Sequence, residues 1–467
     1  KPLQEHYALK FAIMGDKPYL PDGRVRTFAY QETHLFSDCY LNGSMTCVSC
    51  HDPHSQHYRD INKRPLVGRF DDGQCTGCHA SKLADIRQHT HHAPESEGSR
   101  CVSCHMPYLQ HPEVGKKLRF ARSDHTIAIP RPLFDASWDL ENACAQCHQN
   151  YSVQVLEETV NEWYGAMKPH KPIVDGLVRA QTVTGRREAA RLLLLPNAKH
   201  PMAQFMGTTQ MLERFMHPDM PDVEPELLDS LKELSRNNDV DVRSLALATL
   251  HFAQGEQETV RTFLAENLRT LGAHDARIRG RWVLALGYLA DGYRTTRNTQ
   301  SAIATYKKAL EILPNDARIH LNLGLAYADA GDFTNALKRY QRSIELDANQ
   351  IFAYINAGIA YTAQKDYTNA VAMYERAIAL NPYEPMAYFN LGNVYLEQQQ
   401  ARRALEQYQK AVSLDPSLAL GYYYLARSYV VLQDYTKALD AVNRSLEFDP
   451  SHATARQMRR DLERMVR

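Results

Sequence analysis

The sequence predicts a mostly α-helical chain in three parts: a loop-rich segment over residues 1–150, an α-helical bridge over 151–280 and an α-solenoid over 281–467. Three observations predict this. The pattern Cys-x-x-Cys-His occurs four times between Cys47 and His148, cysteine then disappears while apolar residues recur at helical spacing, and the last part repeats every 34 residues.

At 467 residues the chain is long for one domain. Lys plus Arg and Asp plus Glu both number 54, so no charge excess draws the chain to nucleic acid. No apolar run approaches the roughly 18 residues that a transmembrane helix needs, so no transmembrane segment is expected.

Residues 1–46 read as a lead-in of turns, with Gly15-Asp16-Lys17-Pro18 and Pro21-Asp22-Gly23 as breakers. Cys39 is the one thiol outside the repeated pattern and is expected as a small buried apolar residue.

The four copies of the pattern are Cys47-Val-Ser-Cys50-His51, Cys75-Thr-Gly-Cys78-His79, Cys101-Val-Ser-Cys104-His105 and Cys144-Ala-Gln-Cys147-His148. Two thiols three residues apart can each add to a vinyl group of one haem, and the following histidine then lies under the iron as an axial ligand. Zinc, a disulfide or a redox dithiol would also use Cys-x-x-Cys, but none of them needs histidine immediately afterwards. Eight of the nine cysteines fall in the pattern, which predicts four covalently attached haem c groups with His51, His79, His105 and His148 as proximal ligands. Too few residues separate the sites to build a peptide core around each cofactor. The haems are expected to be the core.

Thirteen of the 20 histidines lie before residue 149, so nine remain for four distal positions. His54 follows a proximal ligand by three residues and starts on the same side of that haem, so it is expected to ligate a neighbouring one. His125 and one of His91 and His92 are the other leading candidates. His34, His6 and His89 are further candidates, followed by His57 and His111. Met106 is badly placed for the far face of the third haem because it follows His105 directly.

Between 151 and 280, Val153, Leu156, Val160 and Trp163, then Ala189 to Leu195, then Val240 to Phe252 mark amphipathic helices. The last has a HEAT-like look. His170 is a lesser candidate for a ligand donated from this bridge.

The final part keeps one register. Pro314, Pro382, Pro416 and Pro450 are 34 residues apart with Ala348 in the missing place, as are Gly324, Gly358, Gly392 and Ala426. Tyr327, Tyr361, Tyr395 and Tyr429 keep the step, and so do Ala336, Ala370, Ala404 and Ala438. This is the tetratricopeptide period. Small residues let the two helices of a repeat approach, the tyrosines are expected to fill the gap, and proline ends the second helix. A helix pair before 316 fits less well, because its loop around Asp291 to Asn298 reads as longer. The segment Thr454 to Arg467 suits a capping helix.

Thr46-Cys-Val-Ser-Cys-His-Asp-Pro-His-Ser55, the run from His89-Thr-His-His through Cys104-His-Met-Pro107, and Asp124-His125 before Pro130-Arg-Pro132 resemble bacterial multihaem cytochromes c that carry a tetratricopeptide array. Their haem part is related to doubled Cys-x-x-Cys-His electron carriers. The resemblance implies bis-histidine haems, with His54, His92 and His125 matching the recurrent non-attachment histidines. Many of that group carry a further motif upstream, so a truncated start or a lost haem is an expectation here. His34 and Cys39 match no part of the pattern.

The leading functional reading is electron transfer through four closely spaced haems. The repeat array would dock redox partner proteins or other copies, the latter as a filament. A ladder of Asn322, Asn356 and Asn390, with Tyr388, Phe389, Tyr422 and Tyr423 nearby, is the expected groove for an extended peptide segment. The alternative is an oxidoreductase of the nitrite or hydroxylamine type with one open haem. Covalent haem attachment implies an exported chain, periplasmic or extracellular, whose leader has been removed.

Overall fold

The structure, a computed structural model, describes residues 14, 20–24, 36–41, 47–52, 57–68, 71–109, 122–140, 142–272 and 275–466. It forms two compact units, Lys1–Ala285 and Leu286–Arg467.

Up to residue 148 the elements are short: α1 (Asp38–Leu41), α2 (Cys47–Cys50), α3 (Gly73–Leu83), α4 (Ile86–Thr90), α5 (Cys101–His105) and α6 (Pro132–Ser137). The two-residue strands β1 (Tyr108–Leu109) and β2 (Arg122–Ser123) pair antiparallel. The expected breaker at Pro21-Asp22-Gly23 is a turn closed by the Gly23 N–H on the Leu20 carbonyl. Gly23 has φ of 93°, and a Cβ there would lie 2.1 Å from the Phe36 ring, so both backbone and space demand glycine. Arg24 fastens this turn to α6, because its guanidinium bonds both Asp22 and Asp135 at 2.6 Å, with Arg24 and Asp135 buried. Cys39 is half-buried in α1, not enclosed as expected.

The bridge consists of α7 (Val153–Tyr164), α8 (Pro172–Arg179), α9 (Arg186–Leu193), α10 (Pro201–Phe215), α11 (Pro225–Leu234), α12 (Val240–Gln254) and α13 (Glu258–Thr270). Helices α8, α10 and α11 each begin on proline, whose missing N–H costs nothing in a first turn. Ser152 starts α7 by accepting from the Val155 N–H, and Leu156 and Val160 form its buried face. Asp239 starts α12, which is buried almost throughout from Val242 to Gln254 and forms the centre of the bridge. Gly176 and Gly207 let α8 and α10 close on α9, since a Cβ at either would strike a backbone carbonyl, of Leu192 at 2.1 Å or Leu193 at 2.3 Å.

The array is built from helix pairs. Helix α14 (Asp275–Thr295), within which the two units divide, precedes α15 (Thr299–Ile312). Then come α16 (Ala317–Asp329) with α17 (Phe333–Leu346), α18 (Ile351–Ala363) with α19 (Tyr367–Leu380), α20 (Pro385–Glu397) with α21 (Ala401–Leu414), and α22 (Ala419–Val431) with α23 (Tyr435–Phe448). Helix α24 (Ala453–Val466) packs on α23 and buries Ala455 and Leu462, as the capping segment should. None of the described helices is long and apolar enough to cross a membrane.

Two expectations for the array need correction. The loop before α15 is not long, because α14 runs on to Thr295 and Arg297 turns with φ of 61°. Gly331, Lys365, Gln399 and Gln433 take the same left-handed turn at the same step, so the first pair keeps the register. The gap between paired helices is filled by Tyr340, Tyr374 and Tyr408 of the second helices, not by the Tyr327 series. A Cβ on Gly324, Gly358 or Gly392 would lie 2.5, 2.6 or 2.7 Å from the respective ring. Tyr327, Tyr361 and Tyr429 remain half-buried.

Candidate functional site

Positions i, i+3 and i+4 share one face of a helical turn, so a turn at each Cys-x-x-Cys-His copy would gather both thiols and the imidazole. The first is α2, with His51 just beyond it in a bridge to Tyr58. The second lies in α3, which kinks at His79 (φ −114°, ψ 34°). The third is α5 itself, and the fourth is a turn in which the His148 N–H reaches the Cys144 carbonyl at 2.9 Å. The cysteines of the last three copies form no disulfide, and of Cys47 only the backbone is described. The second and third copies adjoin, because the Asp72 carboxylate at the start of α3 accepts from the Cys101 N–H at 2.9 Å. The Cys75 and Cys101 thiols share a hydrogen bond, which pushes the Cys75 thiol up and the Cys101 thiol down. Burial raises the Cys144 thiol to about 11.

Three of the four proximal candidates face a second histidine. The ring centroids of His51 and His125 are 6.3 Å apart, those of His105 and His89 6.2 Å, and those of His148 and His92 5.8 Å. The last pair brings its two Nε2 atoms within 3.5 Å. Imidazoles on opposite sides of one metal, each bonded at about 2 Å, would hold their centroids roughly 6 Å apart, and these pairs fit that spacing.

The outer nitrogens are also set. His92 Nδ1 donates to the Thr90 carbonyl at 2.5 Å and His105 Nδ1 to the Ala128 carbonyl at 3.0 Å, which leaves Nε2 of each for a metal. Burial lowers the pKa of His51, His89 and His105, with the facing histidine a further cause for His51 and His89. A metal ligand must be neutral, so the shift favours the binding form. No group of three or more His, Cys, Asp and Glu able to hold a metal forms among the described residues; the histidines meet in twos.

Of the expected distal ligands, His92 and His125 each face a proximal candidate, and so does His89, which sequence reasoning ranked lower. His91 does not: its ring lies flat on Trp163, with centroids 4.5 Å apart. His6, His34, His54 and His111 lie outside the described residues. His170 packs against Phe134, and its buried Nε2 has no hydrogen-bond partner. It lines a cavity of about 140 Å³ with Asp22, Arg24, Asp124, Arg131 and Asp135. Burial there raises the Asp124 carboxyl and brings Asp135 to about 6, against the pull of Arg24.

The asparagine ladder of the array is not uniform. Asn356 donates to the Phe352 carbonyl at 2.7 Å in its own helix and Asn322 to Asp291 at 3.5 Å, while the Asn390 amide nitrogen is buried without a partner. Phe389, expected in the groove, is buried against Tyr408 and Tyr424.

Three family matches fall in this array. Residues 298–331 match "TPR repeat", 315–382 "Tetratricopeptide repeat" and 363–445 "Anaphase-promoting complex, cyclosome, subunit 3". No curated protein matches the chain. Among solved structures, MamA is 30% identical over 35% of this chain and 96% of its own, with a TM-score of 0.33. PilF of Pseudomonas aeruginosa is 23% identical over 40% of this chain and 86% of its own, with a TM-score of 0.38. YrrB, titled a TPR protein with an unusual peptide-binding site, is 20% identical over 38% and 92%, with a TM-score of 0.33. The C-terminal part of the chain is therefore a tetratricopeptide repeat array.

Proposed function

We propose that the chain is an exported, periplasmic or extracellular, electron-transfer protein that carries four covalent haem c groups and docks to its redox partner through the repeat array. The observation that supports this is the facing of a second histidine ring, at 5.8 to 6.3 Å, toward three of the four motif histidines. Cys47 and Cys50, Cys75 and Cys78, Cys101 and Cys104, and Cys144 and Cys147 hold the four groups. His51, His79, His105 and His148 are the proximal ligands, and His54 is expected to ligate a haem neighbouring the first. Haem bound at these positions supplies one-electron exchange at iron.

The chain's own task is to fix both imidazoles. Carbonyls of Thr90 and Ala128 hold the outer nitrogens of His92 and His105, so each ring keeps its orientation whatever the charge beneath it. A ligand on both faces leaves a small substrate nowhere to bind, which favours a carrier over an enzyme. The array supplies protein contact, and an extended segment of a partner or of a second copy is the proposed occupant of its groove. Asn390 is the member of the asparagine ladder whose amide nitrogen is still without a partner.

The test is the full chain produced with the haem-attachment machinery. Denaturing mass spectrometry should find four haem additions, electron paramagnetic resonance only low-spin ferric signals, and the reduced protein should bind no carbon monoxide. Fewer additions overturn the cofactor assignment. Carbon monoxide uptake together with turnover of nitrite or hydroxylamine selects the enzyme instead.

A further inference from the structure

The chain between the second and third motifs reverses at His91. Helix α4 ends there with His91 in the left-handed conformation (φ 56°, ψ 19°) and its N–H on the Arg87 carbonyl at 2.8 Å. Such a residue costs about 1–2 kcal/mol when it is not glycine. The reversal sends its neighbours apart: His89, before it, meets His105, and His92, after it, meets His148.

Something must hold this strained turn, and it comes from the last turn of α7. The Trp163 indole stacks on His91 within 7° of parallel and stands edge-on to His92 at 6.0 Å. Tyr164 meets the His91 ring at 90° and donates its hydroxyl to the His89 carbonyl at 2.6 Å. Burial does not explain the position of Tyr164, which is 48% exposed. Helix α7 is itself anchored by the buried Leu156 and Val160, so the grip is tied to the bridge.

We infer that Trp163 and Tyr164 are positioning residues that hold the His89–His92 turn so that His89 takes the sixth position of the third haem and His92 that of the fourth, with His91 no ligand at all. This rests on the haem reading above. It requires one clamp to govern two irons.

The test uses the full haem-loaded chain and two readouts, spin state and carbon monoxide uptake. His89→Ala and His92→Ala should each turn one of the four haems high-spin, while His91→Gly, which suits the left-handed turn, should leave all four low-spin. Trp163→Ala should raise carbon monoxide uptake from none to as much as about two per chain, and Trp163→Phe should reverse the rise. If Trp163→Ala loses its helical circular dichroism, Tyr164→Phe, which removes one hydroxyl, replaces it and should raise uptake at the third haem. Wild-type chain without covalent haem overturns the haem reading and this inference together. Four low-spin haems in the wild type, combined with a high-spin haem in His91→Gly or unchanged uptake in the clamp variant, overturn this inference alone.

Discussion

From Cys47 to His148 the described chain buries, prolines apart, only Val102 and Leu140 as apolar side chains, whereas the repeat array buries an apolar cluster in every helix pair. The two regions answer the same problem differently. The array pays its conformational entropy by packing side chain on side chain, and a segment with so little apolar burial needs an outside filler. Four flat, largely apolar cofactors would be such a filler.

The largest expected effect tests that contrast. Chain made without haem-attachment machinery should lose protease protection between residues 47 and 148 by about two orders of magnitude, the factor carried by ~2.7 kcal/mol of linked binding. The array should remain protected. Equal protection of the N-terminal segment with and without cofactor would break the comparison.

Next comes the array's own core. Tyr374→Ala should cost about 3–5 kcal/mol in denaturant unfolding, as the loss of a buried ring does, and leave the haem spectrum alone. A smaller loss of about 1–3 kcal/mol is expected for Gly358→Ala, whose Cβ would press on the same ring. Combining Gly358→Ala with Tyr374→Val should cost less than the sum, because Ala426 with Val442 already is such a pair. The smallest effect is a gain. Asp332, Asp366 and Asp434 each cap a second helix, but the equivalent Gln400 makes no side-chain cap, so Gln400→Asp should add about 1 kcal/mol. Thermal melting of the array would read it.

The two regions were also unequally legible in sequence. The Cys-x-x-Cys-His copies are contiguous, as the proposed haem attachment from a single turn would require, so their positions could be read directly. Distal partners depend on where the backbone reverses. Nothing in His89-Thr-His-His92 announces that the second histidine, His91, is left-handed and stacked on Trp163, so the pattern alone does not separate His91 from His89 as a ligand. In the array the 34-residue step disclosed the fold and the prolines two residues past four of the five second helices, with Ala348 in the fifth place. It carries two tyrosine series, Tyr306, Tyr340, Tyr374 and Tyr408 beside that of Tyr327, and sequence alone does not say which ring faces the glycine.

The glycine of each first helix closes on a ring of its own repeat: Gly324 with Tyr340, Gly358 with Tyr374, Gly392 with Tyr408. Where the small residue is Ala426, the partner 16 positions on is Val442, so the exchange was made within the same copy. A stretch of gene encoding one repeat therefore carries both halves of its own fit. Unequal crossing-over could add or delete a copy without parting a glycine from the ring that covers it, so the array can change length in whole units while the N-terminal segment, whose facing histidines are scattered along the chain, cannot.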